Sequence, residues 1–590
     1  MIERWESEDP FDARLARSAT GLLASFNREG VLTAADVHVA TRAAALAGEE
    51  RDEVRLAVAL AVRAVRHGSV CVDLAALRET EEALPWPAAA GWLDAVADSP
   101  LAAQSLVQVE DGLLYLDRYH REEGQVRDDL LARLASPRPV ADETLLEATA
   151  ARLFPGEGYA EQRAAALAAA RQSTTVLTGG PGTGKTTTVA GLLALLTEQS
   201  STPLRVALTA PTGKAAARLQ EAVEGAQRAS QFTADDRGRL AGLTASTLHR
   251  LLGWRPGSST RFKHHRTNRL PHDVIVVDET SMVSLTMMAR LLEAVRPEAR
   301  LILVGDPDQL ASVEAGAVLS DLVAGLAVRS PDAVAALRIT HRFGGAIGAL
   351  AEALRVGDAD AALGVLKSGD PAVELVDPAD ETRVAEVERG LVAHAAALHE
   401  AALAGAAERC VRMLDESRLL CAHRDGPWGV AHWNRQIERG LAETTGEPLG
   451  IGWGHEWYPG RPVLVTANDY GLGLFNGDTG VTYTDAGGDL RVAIAGGATY
   501  APSRLGDIET LHAMTVHKSQ GSQARSVTVL LPPDDSPLLT RELFYTAVTR
   551  AQERLRVVGS EAAVRAAVAT RAQRATGLRQ RLAAARHSGS

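Results

Sequence analysis

Cysteine is scarce in this sequence, with only Cys71, Cys410 and Cys421 among 590 residues. Three scattered cysteines provide neither a disulfide framework nor a metal-ligand cluster, which is typical of proteins from a reducing compartment. Long apolar runs are also lacking, because no stretch approaches the roughly 20 uncharged apolar residues that a bilayer crossing needs. The acidic start, MIERWESED, lacks the basic and apolar blocks of a secretory signal. We therefore expect a cytoplasmic protein without membrane contact.

Lysine is rare as well, since only five of the 62 lysine and arginine residues are lysine: Lys185, Lys214, Lys263, Lys367 and Lys518. A compact ammonium group can do what a planar guanidinium cannot, so a retained lysine marks a candidate functional position. Chance survival of a few lysines in an arginine-biased composition is the alternative. The net charge of −12 argues against a broadly basic nucleic-acid-binding surface, but it leaves room for a local basic groove.

The length and the patterning predict several domains. Residues 1–145 are alanine-rich with helical apolar spacing, and Asp111-Gly112 predicts a hairpin turn. In residues 146–340, and again in 341–444 with 506–590, short apolar runs alternate with helical stretches, which predicts two α/β domains with parallel sheets. Residues 445–505 contain strand-like runs joined by tight turns, which predicts a small β-barrel inserted into the second α/β domain.

A phosphate-binding loop is the strongest motif. The segment GGPGTGKT at 179–186 fits the pattern G-x-x-x-x-G-K-[ST], follows a predicted strand and opens a predicted helix. In such a loop backbone amides surround the phosphates, Lys185 neutralises their oxygens, and the Thr186 hydroxyl ligates Mg²⁺. The predicted ligands are therefore ATP and Mg²⁺. The predicted nucleotide-binding residues are Gly179, Gly180, Pro181, Gly182, Thr183, Gly184, Lys185, Thr186 and Thr187.

Two further motifs complete a predicted hydrolytic site. The run Val274 to Val277 delivers Asp278 and Glu279 to the end of a buried strand. Asp278 is placed to bind Mg²⁺, and Glu279 to orient or deprotonate the attacking water. Gln309, in LVGDPDQL after another strand, is suited to sensing the γ-phosphate, or else it belongs only to a turn.

The order of these motifs, together with TVHKSQG at 515–521 and YTAVTRA at 545–551, resembles that of superfamily 1 helicases. Within that superfamily the chain is similar to the RecD type, of the 5′ to 3′ branch, over about residues 146–560. The resemblance implies two RecA-like P-loop domains, a helical N-terminal domain and an SH3-like barrel insertion. It implies that Arg342 and Arg550 complete a phosphate clamp and that Gln162 contacts adenine. The residues implied to contact single-stranded DNA are Pro211, Thr212, Lys214, Thr247, His249, Thr515, His517 and Lys518.

The resemblance also implies an ATP-dependent 5′ to 3′ helicase that acts from a duplex end in double-strand break repair and recombination. RecB-like and RecC-like subunits would be its partners in a heterotrimer, contacted through the N-terminal domain, and a partner would carry any nuclease activity. A nucleotide-gated scaffold and a free-standing RecD-like helicase are the alternatives. Intact Glu279, Gln309 and Arg550 argue against the scaffold, because a pure binder has no need of water-activating groups.

Four details stay open at the level of sequence. Tyr470 or Phe475 in the inserted region could stack on bases or fill a small core. The basic stretch 255–269 could contact DNA or be a solvated excursion. Gln523 stands where family members often have glutamate, which puts a charged role there in doubt. The arginine-rich segment 571–586 is expected to be a solvated helix.

Overall fold

The computed structural model describes residues 4–5, 9–79, 84–136, 140–255, 261–339, 345–450, 456–469 and 471–584. Cys71, Cys410 and Cys421 are all free and buried. Within these described ranges no helix is both long enough and apolar enough to span a bilayer.

The N-terminal region is mainly helical, as predicted, with a small antiparallel sheet. The hairpin forms where Asp111 and Gly112 both adopt positive φ (52° and 78°), the geometry of a tight two-residue turn. The elements are α1 (Gly21–Arg28), α2 (Ala34–Ala47), α3 (Asp52–Arg66), β1 (Cys71–Val72), α4 (Leu74–Glu79), α5 (Trp92–Ala97), α6 (Pro100–Ala103), β2 (Val107–Glu110), β3 (Leu113–Leu116) and α7 (Asp117–Leu134). The sheet order is β1-β3-β2.

The first lobe is built on a six-stranded parallel sheet of order β6-β5-β7-β8-β4-β9. The parallel sheet predicted for this part of the chain is confirmed. The elements are α8 (Glu143–Leu153), α9 (Ala160–Arg171), β4 (Thr174–Gly179), α10 (Lys185–Glu198), β5 (Val206–Ala210), α11 (Gly213–Ala226), α12 (Ala234–Leu240), β6 (Ala245–Thr247), α13 (Leu248–Leu252), β7 (Val274–Val277), α14 (Leu285–Ala294), β8 (Arg300–Gly305), α15 (Val318–Arg329) and β9 (Val334–Leu337). Parallel sheets of this kind place loops that follow their strands along one edge, where ligands bind.

The second lobe has a five-stranded parallel sheet of order β10-β19-β18-β11-β17. Its elements are α16 (Ala346–Val356), α17 (Ala359–Leu366), β10 (Val373–Val376), α18 (Glu381–Leu403), α19 (Ala407–Met413), β11 (Ser417–Cys421), α20 (Val430–Thr445), β17 (Ala513–Thr515), β18 (Ala524–Leu530), α21 (Arg541–Val548), β19 (Ala551–Val558) and α22 (Glu561–Ala569). The second parallel sheet predicted from the sequence is thus confirmed.

Between α20 and β17 lies an antiparallel sheet of order β15-β14-β13-β12-β16. Its strands are β12 (Pro462–Val465), β13 (Thr479–Thr484), β14 (Leu490–Ile494), β15 (Thr499–Tyr500) and β16 (Ile508–Thr510). The two outer strands, β15 and β16, are at opposite edges, so no closed barrel is seen among the described residues. The expected barrel is therefore not confirmed, whereas an inserted β-sheet with its own apolar core is.

The segment after α22 does not behave as expected. Residues 571–584 leave the second lobe and end in α23 (Leu578–Ala583), which packs against α15 of the first lobe and α7 of the N-terminal region. Leu578, Arg581 and Leu582 are buried. The expectation of a solvated helix is wrong, because two apolar side chains four residues apart give this short helix a buried face that the high arginine content concealed.

Candidate functional site

The predicted phosphate-binding loop joins β4 to α10. Gly182 and Gly184 have φ of 81° and 85°, a conformation that glycine adopts without steric cost. A Cβ added to Gly179 would lie 2.5 Å from Thr183 Oγ1. The loop therefore requires glycine at these points.

Lys185 lies inside this loop. Its Nζ donates to the carbonyl oxygens of Gly179 (2.6 Å) and Gly180 (3.0 Å). Thr186 and Thr187 follow in the first turn of α10, at the helix end whose free N–H groups attract anions. Gln162 on α9 is buried and donates to the carbonyl of Thr183 at 3.2 Å, so it supports the same loop.

Asp278 and Glu279 follow β7, which pairs with β5 and β8. Burial and, to a smaller extent, the Glu279 carboxylate together raise the pKa of Asp278 to about 6, whereas Lys185 opposes the shift. Glu279 adopts left-handed backbone (φ 50°, ψ 43°), which is strained for a residue with a side chain and is concentrated at functional sites. The strand thus delivers two carboxylates to the space beside Lys185.

Gln309 is held by the residues around it. Its Nε2 donates to Asp306 Oδ2 at 2.9 Å, and the same Asp306 oxygen accepts from the Tyr545 hydroxyl at 3.1 Å. Tyr545 belongs to α21 of the second lobe, and its hydroxyl would lie only 3.0 Å from a Cβ placed on Gly180. A side chain of the second lobe therefore reaches both the Gln309 segment and the phosphate-binding loop.

Arg550 crosses from the second lobe to the first. Its guanidinium donates to Gln309 Oε1 (3.1 Å), and within its own lobe to the carbonyls of Thr546 (3.0 Å) and Ser522 (3.2 Å). Burial lowers the pKa of Arg550, and the Glu279 carboxylate opposes that shift. The predicted residues Lys185, Asp278, Glu279, Gln309 and Arg550 are thus brought to one cleft between the lobes, whereas Arg342 lies outside the described residues.

Their neighbours Gly179, Gly180, Asp306 and Tyr545 line a cavity of about 610 Å³, although none of the five residues lines it itself. One wall is the phosphate-binding loop with Asp306 and Asp308, and the other is formed by α16 and α21. Burial raises the pKa of Asp308 to about 6, with Asp306 adding to the shift. A cavity with these walls fits a nucleotide between two lobes.

A second group of predicted residues lies at the adjacent end of the first sheet. Ala210 pairs with Thr247 in neighbouring parallel strands, so Pro211 and Thr212 lie next to Thr247 and His249. Thr212 caps α11 and Thr247 caps α13, each hydroxyl accepting a backbone N–H at 3.2 Å. Two helix N-termini therefore start side by side.

Lys214, in the first turn of α11, is surrounded by charge. Burial lowers the pKa of Lys214 to about 7, the Arg418 and Arg218 guanidinium groups add to the shift, and Asp415 and Asp478 oppose it. Arg418 is buried on β11 of the second lobe, where it donates to Asp415 Oδ1 at 3.0 Å. The cationic cluster thus spans both lobes.

The third predicted group lies at the end of β17 in the second lobe, where Thr515 is the last residue of the strand and His517 and Lys518 follow it. Lys518 Nζ donates to Glu509 Oε2 at 2.7 Å, and burial lowers the pKa of His517. A Cβ on Gly521 would lie 3.5 Å from Ala215 of α11. This group therefore abuts the helix that carries Thr212 and Lys214, so the structure brings the second-lobe and first-lobe sets together.

The open questions from the sequence are partly answered. Phe475 lies against Gly213, with its Cβ 3.0 Å from where a Gly213 Cβ would be, and it is outside the apolar core of the inserted sheet. Tyr470 lies outside the described residues. In the basic stretch, of which 256–260 are also outside them, Arg266 pairs with Asp129 of α7 at 2.8 Å. Arg269 donates to a backbone carbonyl of the first lobe, which favours a packed excursion.

Tyr545, Asp306 and Gln520 are site residues that sequence reasoning did not assign. Gln520 Nε2 donates to the Leu310 carbonyl at 2.7 Å, and Leu310 N donates to Thr546 Oγ1 at 2.9 Å. All three lie inside or beside the motifs quoted above, so their place in the sequence could have indicated a role in the site. Their partners in the other lobe are more than 200 residues away in the chain, so the contacts themselves could not be predicted from the sequence.

Comparison with known proteins adds three family matches. Residues 28–117 match the model described as RecBCD enzyme subunit RecD, N-terminal domain. Residues 162–315 match an AAA domain, and residues 510–558 match a UvrD-like helicase C-terminal domain.

Similar proteins cover most of the chain. It is 59% identical over 582 residues to RecBCD enzyme subunit RecD of Mycobacterium tuberculosis (strain ATCC 25618 / H37Rv), covering 97% of this chain and 98% of that protein. It is 61% identical over 565 residues to the Mycolicibacterium smegmatis subunit of the same name, covering 94% and 98%. Identity with the ATP-dependent RecD2 DNA helicase of Deinococcus radiodurans is 33%, over 82% of this chain and 61% of that protein. A crystal structure of Bacteroides Pif1 bound to ssDNA aligns with a TM-score of 0.36 and 16% identity, covering 65% of this chain and 88% of that one.

Proposed function

The chain belongs to the RecD family of RecBCD enzyme subunits, and from that membership we propose that it is an ATP-driven helicase that moves 5′ to 3′ along single-stranded DNA. Its partners are RecB-like and RecC-like subunits, and the complex acts on duplex ends in double-strand break repair and recombination. The observation that carries the proposal is the hydrogen bond of 3.1 Å from Arg550 to Gln309, because it joins the two lobes across the nucleotide cleft.

ATP would occupy the cleft with its phosphates on the loop 179–186. Lys185 would exchange its two loop carbonyls for β- and γ-phosphate oxygens, and Gln162 would offer its amide to the adenine edge. Glu279 would orient or deprotonate the attacking water. Arg550, with Arg342 as the resemblance implies, would stabilise the charge that develops on the transferred phosphoryl group.

The donor set also fits Mg²⁺. The hydroxyl of Thr186 and the carboxylate of Asp278 are hard oxygen ligands, the kind that Mg²⁺ prefers. These two residues would hold the ion, which when bound supplies neutralisation of phosphate charge.

Closure of the cleft would be coupled to DNA through the residues next to Gln309. Leu310 is held by Thr546 and Gln520 of the second lobe, and Gly521, the residue after Gln520, contacts α11. Loss of the γ-phosphate would release Arg550 and open the cleft, which would move the DNA-contacting sets of the two lobes relative to one another. Alternating grip on the strand would then give directional stepping.

The proposed DNA path follows the adjoining groups described above. Helix N-termini and a lysine bind phosphates, and the aromatic ring of Phe475 would face a base. The inserted sheet, which we propose to be SH3-like, would cover the part of this path that lies next to α11. The residues proposed to contact DNA are Pro211, Thr212, Lys214, Thr247, His249, Thr515, His517 and Lys518.

The domain boundaries proposed from the sequence also fit these roles. Residues 1–145 would bind the partner subunits, 146–340 and 341–444 with 506–590 would form the two motor domains, and 445–505 would be the inserted domain. Arg133 of α7 donates to Thr174 Oγ1 (2.8 Å) and the Ser173 carbonyl (3.0 Å) at the start of β4, so the N-terminal region is firmly attached to the first lobe.

The two alternatives are less well supported. A nucleotide-gated scaffold would not need Arg550 buried against Gln309 beside a strained Glu279. A free-standing helicase is less well supported, since the identity is 59% and 61% with the two RecD subunits but 33% with RecD2.

Lys214 gives a pH-dependent prediction. With a pKa of about 7, Lys214 is mostly cationic at pH 6 and mostly neutral at pH 8, so it binds a phosphate better at the lower pH. We expect the affinity for single-stranded DNA to fall about tenfold from pH 6 to pH 8 if DNA binding keeps this one group protonated. Fluorescence anisotropy with labelled oligonucleotide at constant salt measures this.

Lys214→Arg should bind with little pH dependence over the same range, because arginine stays charged. Burial lowers the pKa of both His249 and His517, so these groups contribute less to the pH dependence than ordinary histidines would. Lys263→Arg, at an exposed lysine, is the control and should keep the wild-type profile. An equal pH profile for wild type and Lys214→Arg would remove Lys214 from the DNA path.

The direction of movement is tested by strand separation. We expect the complex with RecB-like and RecC-like subunits to unwind a 5′-tailed duplex with ATP and Mg²⁺ through this chain. The control is the complex assembled without it. If the added chain gives no gain on the 5′-tailed duplex but a gain on the 3′-tailed one, the proposed polarity is wrong.

A further inference from the structure

The segment 571–584, here called the strap, connects three parts of the molecule. It leaves the second lobe after α22, where Ala572 N donates to Glu542 Oε2 at 2.8 Å. It then crosses the first lobe and ends against the N-terminal region. A segment that touches both lobes must respond when the lobes move.

Arg574 grips the first lobe just after Gln309. Its Nη1 donates to the carbonyl oxygens of Ser312, Glu314 (3.1 Å) and Gly316 (3.3 Å). Ser312 is only three residues beyond Gln309. Arg574 is partly buried, and burial lowers its pKa. One guanidinium thus fixes the path of the loop 312–316, which joins the Gln309 segment to α15.

The N-terminal region holds the same loop from the other side. Gly316 N donates to the Gly68 carbonyl at 2.9 Å, and a Cβ on Gly68 would lie 2.9 Å from Arg574 Cζ. The strap and this turn are themselves joined, since Ala575 N donates to Ser69 Oγ (3.0 Å) and accepts from Val70 N (3.0 Å) through its carbonyl. Three segments far apart in the chain therefore meet at one junction.

The far end of the strap is anchored on α7. Glu123 is fully buried, and its Oε1 accepts from Thr576 Oγ1 (2.7 Å) and Gly577 N (3.1 Å). Arg581 Nε lies 3.4 Å from the other carboxylate oxygen of Glu123, and its Nη2 donates to Glu110 at 2.6 Å. The buried ion pair between Glu123 and Arg581, together with these hydrogen bonds, fixes the end of the strap against α7.

The junction also adjoins two residues of the proposed DNA path. Burial lowers the pKa of His249, and the nearby Glu314 carboxylate of the gripped loop opposes that shift. Burial lowers the pKa of His517, and the Arg574 guanidinium lowers it further. The charges of Glu314 and Arg574, both at this junction, therefore act on the two histidines that we propose to contact DNA.

From this geometry we propose that Arg574 is a positioning residue that couples DNA contact to Gln309 by fixing the loop 312–316 against the N-terminal turn at 68–70. The inference rests on the proposed function, because it assigns a role within the same nucleotide and DNA sites. A DNA strand pressing on His249 and His517 moves the loop as a unit with Gln309 only while Arg574 ties the loop down. Without that tie the loop yields, and DNA contact no longer reaches Gln309.

The test compares ATP hydrolysis by the full chain with and without single-stranded oligonucleotide, with rates divided by the number of nucleotide-binding sites. Arg574→Ala should lower the DNA-stimulated kcat about tenfold, a size typical of a coupling residue, and leave the DNA-free kcat unchanged. Misfolding would reduce the number of nucleotide-binding sites and so lower the rates with and without DNA by the same factor. The ratio of the DNA-stimulated rate to the DNA-free rate therefore isolates coupling. Arg574→Lys should restore the ratio, because its ammonium also offers three donors.

Arg579→Ala, at an exposed arginine of the same strap, is the control and should behave as wild type. Glu123→Gln, which loosens the far anchor, should lower the ratio in the same direction, and it keeps the test open if Arg574→Ala does not fold. An unchanged ratio in the folded variants, or an equal fall in Arg579→Ala, overturns the inference. A wild-type chain whose hydrolysis does not respond to DNA at all would instead contradict the proposed function.

Discussion

Replacing Arg550 by alanine is expected to lower the kcat of ATP hydrolysis about 10³-fold, the lower end of the effect of an arginine that stabilises phosphoryl transfer. The guanidinium is buried, faces Glu279 and donates to Gln309, so no water or neighbouring side chain can take its place. Steady-state hydrolysis in the presence of single-stranded DNA, with nucleotide affinity measured separately, gives this number. Affinity should change far less than kcat, because Lys185 and the phosphate-binding loop remain.

Arg550 also makes hydrogen bonds within the second lobe, so its loss is expected to destabilise the fold. Arg550→Lys separates the loss of catalysis from the loss of fold stability, because lysine keeps the charge but lacks the planar guanidinium that donates to Gln309. Arg554→Ala, at an exposed position four residues along, is the matched control and should hydrolyse ATP normally. If Arg550→Ala folds and keeps kcat within tenfold of wild type, Arg550 does not contact the transferred phosphate.

Replacing Lys185 by alanine should abolish both hydrolysis and strand separation, with kcat/KM falling about 10³-fold. Lys185 is held by the Gly179 and Gly180 carbonyls at the position where β- and γ-phosphate oxygens would lie. Its loss removes a charge that is needed both to bind ATP and to stabilise the transition state. Coupled hydrolysis and 5′-tailed duplex unwinding assays, at ATP concentrations up to saturation, measure both effects.

Lys367→Ala is the control for this experiment, since Lys367 is an exposed lysine paired with Glu561 on the second lobe. Its activity should equal that of the wild type. Unchanged hydrolysis in Lys185→Ala would contradict the motor function and revive the nucleotide-gated scaffold.

Much of the fold could be predicted from the sequence. Strands at 174–179, 274–277 and 300–305 were signalled by short buried runs of β-branched and apolar residues. The hairpin turn at Asp111-Gly112 follows from local backbone preference. The inserted sheet was predicted, but the prediction that it closes into a barrel was not confirmed. Closure depends on pairing between edge strands that are far apart in the sequence. The apolar face of α23 was missed because six residues give too little periodicity to stand out among arginines.

What the sequence by itself determined is the chemistry that sits on contiguous chain. A strand, a glycine turn and a helix start within residues 174–198 build the phosphate site, and a buried strand delivers Asp278 and Glu279. These features follow from turn geometry and strand burial, which act over a few residues.

Only the tertiary structure decided how those pieces are connected. Arg550 meets Gln309 across 241 residues of chain, and Arg574 meets the loop 312–316 across about as many. The physical reason is that such contacts depend on how two whole sheets pack and on where the chain returns after leaving them. Local sequence propensity determines neither the packing of the sheets nor the return path of the chain, because it acts only within single helices, strands and turns.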